Sequence, residues 1–197
     1  MTKKAATPKG AWTSTVTLRG LPPGIMFDRY LGSNNARVAN EDKMYVQPDG
    51  QVYLPALNVM SFLSAENTRS APKALYDPRK YKEKTGALLG YTIISPAEIP
   101  LTRDGEPVTW LGNFDDGADG PSGIILHHAV ARLPKGLPNP KERPLILAPW
   151  EATFDVTLIE NKWVAPSEFQ WIVEQGMMLI GLGTFRGIYG KATVEWS

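Results

Sequence analysis

Residues 152–196 read ATFDVTLIENKWVAPSEFQWIVEQGMMLIGLGTFRGIYGKATVEW and contain the elements that decide the fold. A helix is predicted in the middle, with Ser167 as its cap. Its apolar residues recur at the 3.6-residue period: Phe169, Ile172, Val173, Gly176, Met177 and Ile180. Half-buried strands are predicted on either side of the helix, where apolar and polar residues alternate: Phe154, Val156 and Leu158 before it, and Ala192, Val194 and Trp196 after it.

The first half of the chain shows the same kinds of pattern. Val16 and Leu18 alternate with polar residues and predict a strand that ends near Gly20. Residues 43–47 and 51–54 flank the turn sequence Pro-Asp-Gly and predict a hairpin. Pro55 is suited to open a helix, whose apolar positions are Ala56, Val59, Met60 and Leu63, and the apolar residues 87–94 predict a central strand.

Residues 95–150 interrupt this regularity. They hold nine prolines and a glycine- and aspartate-rich run at 112–123, which favours an insertion with short strands near 108–111 and 124–133. Without insertions, the order is strand, helix, strand, strand, helix, strand. The sequence therefore predicts one α+β domain over residues 1–197, with a modified ferredoxin-like (RRM-like) βαββαβ core, an antiparallel sheet, and large insertions at about 21–54 and 95–150.

The amino-acid composition excludes several classes of functional site. The chain has 197 residues, is 43% hydrophobic and contains no cysteine, which excludes disulfides, thiolate metal sites and a cysteine nucleophile. No signal peptide and no run of eighteen apolar residues is present, so we expect a cytoplasmic protein without a membrane span. No motif points to a cofactor or to a structural metal.

The net charge is +1, but the charges are separated along the chain. Residues 69–84 hold six basic and two acidic side chains, whereas five acidic and no basic side chains lie in residues 104–119. This asymmetry indicates a face that binds polyanions and an acidic surface elsewhere, which could meet the basic segment across a subunit interface. Ordinary solvated loops are the alternative.

The loop at residues 181–191 is the main indication of function. Its glycines predict a shaped turn whose backbone amides remain available for a phosphate, and the alternative is a helix cap with a tight connection. Single-stranded nucleic acid is bound by cations and by flat side chains that stack on bases. The candidates for these contacts are Gly181, Gly183, Phe185, Arg186, Gly187, Tyr189 and Lys191 in the loop, and Arg79, Lys80, Tyr81 and Lys82 in the basic stretch. Alternatively, Phe185 and Tyr189 belong to the core and residues 79–84 form a solvated loop.

Two segments resemble the RAMP superfamily, which includes backbone subunits of CRISPR effector complexes and their processing nucleases. The loop GLGTFRGIYGK at residues 181–191 resembles its glycine-rich loop, and VYLPALNVMSFL at residues 52–63 resembles its strand, proline and helix segment. VTLRGLPPGI at residues 16–25 is similar to the first strand of the superfamily, and this is the weakest of the three similarities. Where that helix start often carries a lysine and a glycine, this chain has Met60 and Ser61, so the resemblance leaves the backbone amides around Asn58 for a phosphate contact.

The resemblance implies a non-catalytic subunit that binds single-stranded nucleic acid, with RNA favoured over DNA. It also implies a homo-oligomer or filament assembled side by side along the ligand. Similar small proteins occur in phage genomes, which would place a phage-encoded relative in the host cytoplasm. One alternative is a divalent-metal-dependent endoribonuclease that uses Asp28 with Asp42 or Glu41. Another is a protein-interaction or virion assembly module.

The histidine pair His127-His128 invites a metal or acid-base interpretation. Because neighbouring residues on a strand point to opposite faces, the two rings cannot easily serve one centre. We therefore expect a strand filler or a surface pair, and we predict no catalytic residue apart from the Asp28 alternative.

Overall fold

The computed structural model describes residues 10–29, 38–66, 69–132 and 138–197, with ten strands and four α-helices in those ranges. The strands are β1 Ala11–Gly20, β2 Gly24–Met26, β3 Tyr53–Pro55, β4 Thr92–Ser95, β5 Glu98–Arg103, β6 Glu106–Pro107, β7 Ile124–Arg132, β8 Pro138–Leu147, β9 Glu151–Ile159 and β10 Ala192–Trp196. The helices are α1 Ala56–Ser64, α2 Ala71–Leu75, α3 Tyr81–Tyr91 and α4 Pro166–Leu179. None of the helices in these ranges is long and apolar enough to cross a membrane.

The main sheet is antiparallel throughout. Its strand order is β10-β1-β9-β5-β3, with β4 also paired to β9 and β6 paired to β5. Val16 lies opposite Phe154 on one side and Trp196 on the other, so these three side chains share one face. The prediction of an α+β architecture with an antiparallel sheet is confirmed.

The apolar face of this sheet forms the core with the helices. Val16, Leu18 and Phe154 are buried there, together with Phe169 and Ile172 of α4. These are the residues that the sequence patterns select. Alternation of apolar and polar residues identifies the buried positions of β1, β9 and β10, and the 3.6-residue period identifies those of α4.

Gly176 shows how closely α4 approaches its neighbours. A Cβ atom at this position would lie 2.7 Å from the Phe62 ring of α1 and 2.5 Å from Ala71 of α2. Glycine therefore occupies an apolar helix position because a larger residue would push these helices apart.

The predicted strand at residues 87–94 is wrong in its first part. Residues 81–91 form α3, in which Ala87 and Leu88 are buried, and the strand begins only at Thr92. Two glycines and a threonine give this segment low helix propensity, but packing against α1 and α2 outweighs that preference. The basic stretch at 79–84 consequently leads into a helix and is not a loop.

Two other sequence predictions have mixed outcomes. The hairpin turn near residue 49 is present, with a bridge between Val46 and Val52 and a 2.9 Å hydrogen bond from the Gln47 amide to the Gln51 carbonyl. No strand forms at 108–111, where Thr109 makes an isolated bridge to Gln51. The strand predicted at 124–133 corresponds to β7, which joins β8 and β2 in a separate three-stranded sheet.

Two charged side chains organise the segment between β5 and β9: half-buried Arg103 of β5 ties it to the main sheet, and buried Asp115 closes a loop within it. Arg103 donates hydrogen bonds of 2.9 to 3.0 Å to the carbonyls of Pro149, Ser122 and Leu147. Asp115 is 9% exposed, and its Oδ2 accepts from the Ser122 hydroxyl and from the amides of residues 122, 123 and 124. The expectation that all acids of residues 104–119 form an exposed surface is therefore wrong for Asp115, which closes a loop inside the protein.

Candidate nucleic-acid interface

The glycine-rich loop directly follows α4 and packs against β2. At Gly183, with a φ of +75°, a Cβ atom would lie 2.4 Å from the Met26 carbonyl oxygen. At Gly190, with a φ of +74°, it would lie 2.0 Å from the carbonyl oxygen of Leu182. Both the backbone conformation and the close approach require glycine here. The loop is thus a shaped turn, as predicted, but its glycines serve contacts within the protein.

Most amides of the loop are used internally. The Gly183 amide donates to Asn58 Oδ1 at 3.1 Å, the Thr184 amide to the Met26 carbonyl at 2.9 Å, and the Gly190 amide to the Gly24 carbonyl at 2.8 Å. The expectation that the loop keeps its amides available is wrong for these positions. Within residues 181–190, the amides of Phe185 and Arg186 are the two that donate to no acceptor in the described part of the chain.

Arg186 braces the loop against the helices. Its guanidinium donates to the Gly183 carbonyl at 3.2 Å, to the Arg69 carbonyl at 2.7 Å and to the Ser61 hydroxyl at 3.2 Å. Burial lowers the pKa of Arg186 from its usual value, although an arginine stays charged at physiological pH. Arg186 therefore places a positive charge between the loop, α1 and the segment before α2, with part of its donor set already occupied.

Phe185 is fixed by a residue that the sequence did not single out. It has a φ of +52°, unusual for a residue with a side chain, and the guanidinium carbon of Arg143 lies 4.5 Å from the centre of its ring. Arg143 belongs to β8, is 9% exposed, and its Nε and Nη2 both lie 2.7 Å from Asp28 Oδ2. This stack of an aromatic ring, a guanidinium and a carboxylate holds the aromatic residue of the loop in a defined position.

Asp28, the residue of the nuclease alternative, is thus an ion-pair partner of Arg143. The described residues contain no group of three histidine, aspartate or glutamate side chains arranged to hold a metal ion. Lys43 lies close to the same carboxylate, and burial is the main cause that lowers the pKa of Lys43 from its usual value.

The two neighbouring histidines have different partners. His127 Nε2 lies 2.9 Å from the Tyr189 hydroxyl, and the two rings pack edge to face. His128 Nδ1 lies 3.4 Å from Glu142 Oε1. His127 therefore anchors the second half of the glycine-rich loop to β7, which accords with a structural use of the pair.

The structure brings several predicted residues together and adds others. Asn58, at the start of α1, contacts the loop through the Gly183 amide. Arg69 is exposed, and its Nη1 would lie 3.4 Å from a Cβ atom on Gly187. We define the loop cluster as Asn58, Arg69, Arg143, Phe185 and Arg186. No pattern in the sequence identifies Arg143 as a site residue. Its position opposite His127 arises only from the pairing of β7 with β8.

The second predicted segment, Arg79, Lys80, Tyr81 and Lys82, lies elsewhere. The amides of Arg79 and Lys80 donate to Asp77 Oδ1, and Lys84, one turn into α3, forms a 2.6 Å ion pair with Glu168. Glu168 is in the first turn of α4, whereas the glycine-rich loop follows the last turn, roughly 15–20 Å away along the helix axis. The predicted contacts therefore form two separate groups.

The contribution of Glu168 to stability should depend on pH, which provides a test of this packing. It lies 2.6 Å from both Lys84 Nζ and the Tyr76 hydroxyl. Burial alone would raise the pKa of Glu168, but the hydrogen bonds from Lys84 and Tyr76 outweigh burial and lower it below its usual 4.5. A carboxyl whose pKa is lowered by folding stabilises the folded state above its unfolded pKa and loses this effect as the pH falls through its folded pKa. We expect the stability difference between the wild type and Glu168→Gln to be largest near about pH 6 and to shrink toward about pH 3, measured by urea unfolding. A difference that does not change with pH would contradict this.

Around β1 and β9, the open face of the main sheet is lined by polar and charged side chains. Thr15, Thr17 and Arg19 of β1 point to this face, opposite Asp155, Thr153 and Glu151 of β9. Arg19 pairs with Glu151 and, at 2.8 Å, with Glu195. Three carboxylates and one arginine around β1, β9 and β10 repel a phosphate backbone, so the charge of this part of the sheet disfavours contact with nucleic acid.

Comparison with known proteins agrees with the fold. No protein-family model matches the sequence, and no curated protein matches it. The chain is similar in fold to a solved RNA-bound structure. That structure is the cryo-EM structure of the Type III-B Cmr-beta bound to cognate target RNA, and a chain in it aligns with a TM-score of 0.52 at 10% sequence identity. The alignment covers 94% of this chain and 59% of that chain, so this protein spans about three-fifths of the length of the chain it matches.

Proposed function

We propose that this protein is a RAMP-like, non-catalytic subunit that binds single-stranded nucleic acid, with RNA favoured over DNA. The element order β1, α1, β4 with β5, β9, α4 and β10 supports a βαββαβ core, because the antiparallel order of these strands in the sheet is β10, β1, β9 and then β4 with β5. A fold similar to a chain in an RNA-bound structure supports the ligand class.

The observation that carries the proposal is the loop cluster itself. A cation on the surface, Arg69, lies beside a half-buried arginine and an aromatic ring that is fixed by Arg143. The amides of Phe185 and Arg186 have no acceptor in the described part of the chain and can donate to a phosphate oxygen. Leu57 and Ile188 flank the cluster and are 80% and 62% exposed, which offers apolar contact to unstacked bases.

Arg79, Lys80 and Lys82 supply the second contact in this proposal. They are exposed and lie away from the loop cluster, so they would meet either a more distant part of the strand or a neighbouring subunit. The exposed acids Asp104, Glu106, Asp116 and Asp119 lie on the insertion and offer opposite charge for such a neighbour. Side-by-side assembly along the ligand follows if these two surfaces meet.

A salt titration tests the proposal. We expect an RNA oligonucleotide to bind with an affinity that falls steeply with salt, because counterions are released when cations contact phosphates. For single strands the slope of log affinity against log salt is about −0.7 per phosphate contact. The variant Arg79→Ala, Lys80→Ala, Lys82→Ala should reduce this slope by about 2, and DNA of the same sequence should bind more weakly.

Three outcomes would contradict parts of the proposal. If the protein shows no salt-sensitive binding to RNA or DNA, the proposed function is wrong. An unchanged slope in the triple variant would remove the second contact. A particle mass that stays at one subunit on a long RNA would remove the assembly. The nuclease alternative is disfavoured, because the Asp28 carboxylate that it requires already accepts hydrogen bonds from Arg143.

A further inference from the structure

An exposed tryptophan lies beside the basic stretch. Trp171, in the second turn of α4, is 42% exposed, and its ring packs edge to face against the ring of Tyr76, with the two centroids 5.7 Å apart. Tyr76 is the C-terminal cap of α2 and directly precedes the turn that carries the exposed Arg79 and Lys80. Single-stranded nucleic acid is bound by this combination, in which a base stacks on an accessible aromatic ring and cations contact the neighbouring phosphates.

The ring on which Trp171 rests is held in place. The Tyr76 hydroxyl donates to Glu168 Oε1 at 2.6 Å, and Lys84 Nζ lies 5.7 Å from the centre of the Tyr76 ring. Lys84 and Glu168 also form an ion pair of 2.6 Å. Trp171 therefore packs on a fixed support, which lowers the cost of ordering its side chain against a ligand.

The turn that carries the cations is fixed as well. Asp77 Oδ1 accepts hydrogen bonds of 2.8 and 3.2 Å from the amides of Arg79 and Lys80, whose side chains stay exposed. Glu174, one turn beyond Trp171, accepts a 2.8 Å hydrogen bond from the indole of Trp196 in β10. The carboxylate of Glu174 is thus engaged toward the sheet, and the cations of the turn lie on the same side of the protein as Tyr76.

Helix α2 connects this surface to the loop cluster. Ala71, its first residue, packs against α4 where a Cβ atom on Gly176 would lie 2.5 Å from it, and the carbonyl of Arg69 just before it accepts from Arg186. The other end of α2 contacts the first turn of α4 through Tyr76. Helix α2 therefore runs antiparallel to α4, from the loop cluster to the ring of Trp171.

The exposed positions of α4 along the same route carry no charge. Between Trp171 and the glycine-rich loop they are Gln175, Met178 and Leu179, of which Met178 is 47% and Leu179 is 50% exposed. This surface offers apolar contact to bases and contains no exposed acid that would repel phosphates.

We propose that one single strand of RNA runs from the loop cluster along α2 and α4 to Arg79 and Lys80, with one base stacked on Trp171. This inference rests on the proposed function and deepens it, because it assigns the basic stretch to the strand that the loop cluster holds. The two groups lie roughly 15–20 Å apart along the helix axis. A stacked strand advances about 3.4 Å per nucleotide, so this distance corresponds to about five or six nucleotides.

The probe is an RNA of nine adenosines, and binding is measured by fluorescence anisotropy. We expect Trp171→Ala to weaken binding about five- to hundredfold, which is the loss of one stacked base. The slope of log affinity against log salt should not change, because the indole contacts no phosphate. Leu111→Ala is the matched control. It removes a side chain that is 55% exposed on the insertion, and it should bind like the wild type.

Two further comparisons separate stacking from an effect on the fold. Trp171→Phe keeps an aromatic face and should retain most of the affinity, whereas Trp171→Leu keeps apolar bulk and should lose about as much as Trp171→Ala. A strand of nine abasic nucleotides offers no base to stack, so the wild type and Trp171→Ala should bind it equally. If the loss persists on the abasic strand, Trp171 does not act by stacking and the inference is wrong.

The remaining outcomes distinguish this inference from the proposed function. Absence of RNA binding by the wild type would remove both. Salt-sensitive binding that is the same for the wild type and Trp171→Ala would overturn the stacking site and leave the proposed function intact. Isothermal titration calorimetry that finds two RNA molecules per chain would overturn the continuous path. If Trp171→Ala lowers only the particle mass on a long RNA, Trp171 contacts a protein partner and the inference fails.

Discussion

Replacing Arg186 by methionine is expected to weaken the binding of single-stranded RNA about tenfold or more and to lower the free energy of unfolding by about 1–3 kcal/mol. The substitution removes a charge from the loop cluster and leaves the carbonyls of Gly183 and Arg69 without their donor. The loop would no longer be tied to α1 and to the segment before α2. Fluorescence anisotropy at low salt measures the first effect, and urea unfolding measures the second.

Two further variants separate charge from bracing. Arg186→Lys keeps the charge but cannot reproduce three hydrogen bonds from one planar group, so we expect it to recover only part of the affinity. Lys162→Ala removes an equal charge at the opposite end of α4 and should leave RNA binding unchanged. If Arg186→Met binds RNA as tightly as the wild type at low salt, the glycine-rich loop is not part of the binding surface.

Replacing Asp115 by alanine is expected to give the largest loss of stability, about 3 kcal/mol or more. Its Oδ2 accepts from three amides and one hydroxyl at 2.7 to 3.3 Å. The truncation leaves the Ser122 and Gly123 amides and the Ser122 hydroxyl buried without this acceptor, whereas the Ile124 amide keeps its 3.1 Å bond to the Ser122 hydroxyl oxygen. A Cβ atom on Gly120 would contact the Asp115 carboxyl group at 2.1 Å, so this turn has no room to rearrange around a different partner. The free energy of unfolding from urea titration checks the prediction.

The Asp115 experiment also has a matched control. Asp116→Ala removes the neighbouring exposed carboxylate and should change stability by less than about 0.5 kcal/mol. Asp115→Asn retains an acceptor oxygen and should fall between the two. A loss below about 1 kcal/mol for Asp115→Ala would show that the loop at residues 115–124 does not depend on this carboxylate.

Together the two sets of variants distinguish the loop cluster from the insertion. We expect the Arg186 variants to change RNA binding and stability together, because one side chain would supply both charge and bracing. The Asp115 variants should change stability alone, and the folded fraction should keep its RNA affinity. A loss of RNA affinity in the folded Asp115→Ala variant would place part of the binding surface on the insertion.

Local patterns in the sequence determined much of the architecture. The alternation at Val16 and Leu18 marks β1, the proline before residue 56 marks the start of α1, and the period from Phe169 to Ile180 marks α4. These predictions succeed because the periodicity of apolar residues along one helix or strand is enough to show which of its faces is buried. The glycines of residues 181–190 likewise identify a shaped turn, since four of them have positive φ.

Tertiary structure alone decided how the loop is used. Arg186 finds the Ser61 hydroxyl 125 residues away and the Arg69 carbonyl 117 residues away, and Asp28 finds Arg143 at a separation of 115. Sequence spacing cannot reveal such partners, because the choice of donor and acceptor depends on which elements pack together after folding. The same reason explains why residues 81–91 are helical against their propensity, and why amides predicted to be free donate to Met26, Gly24 and Asn58.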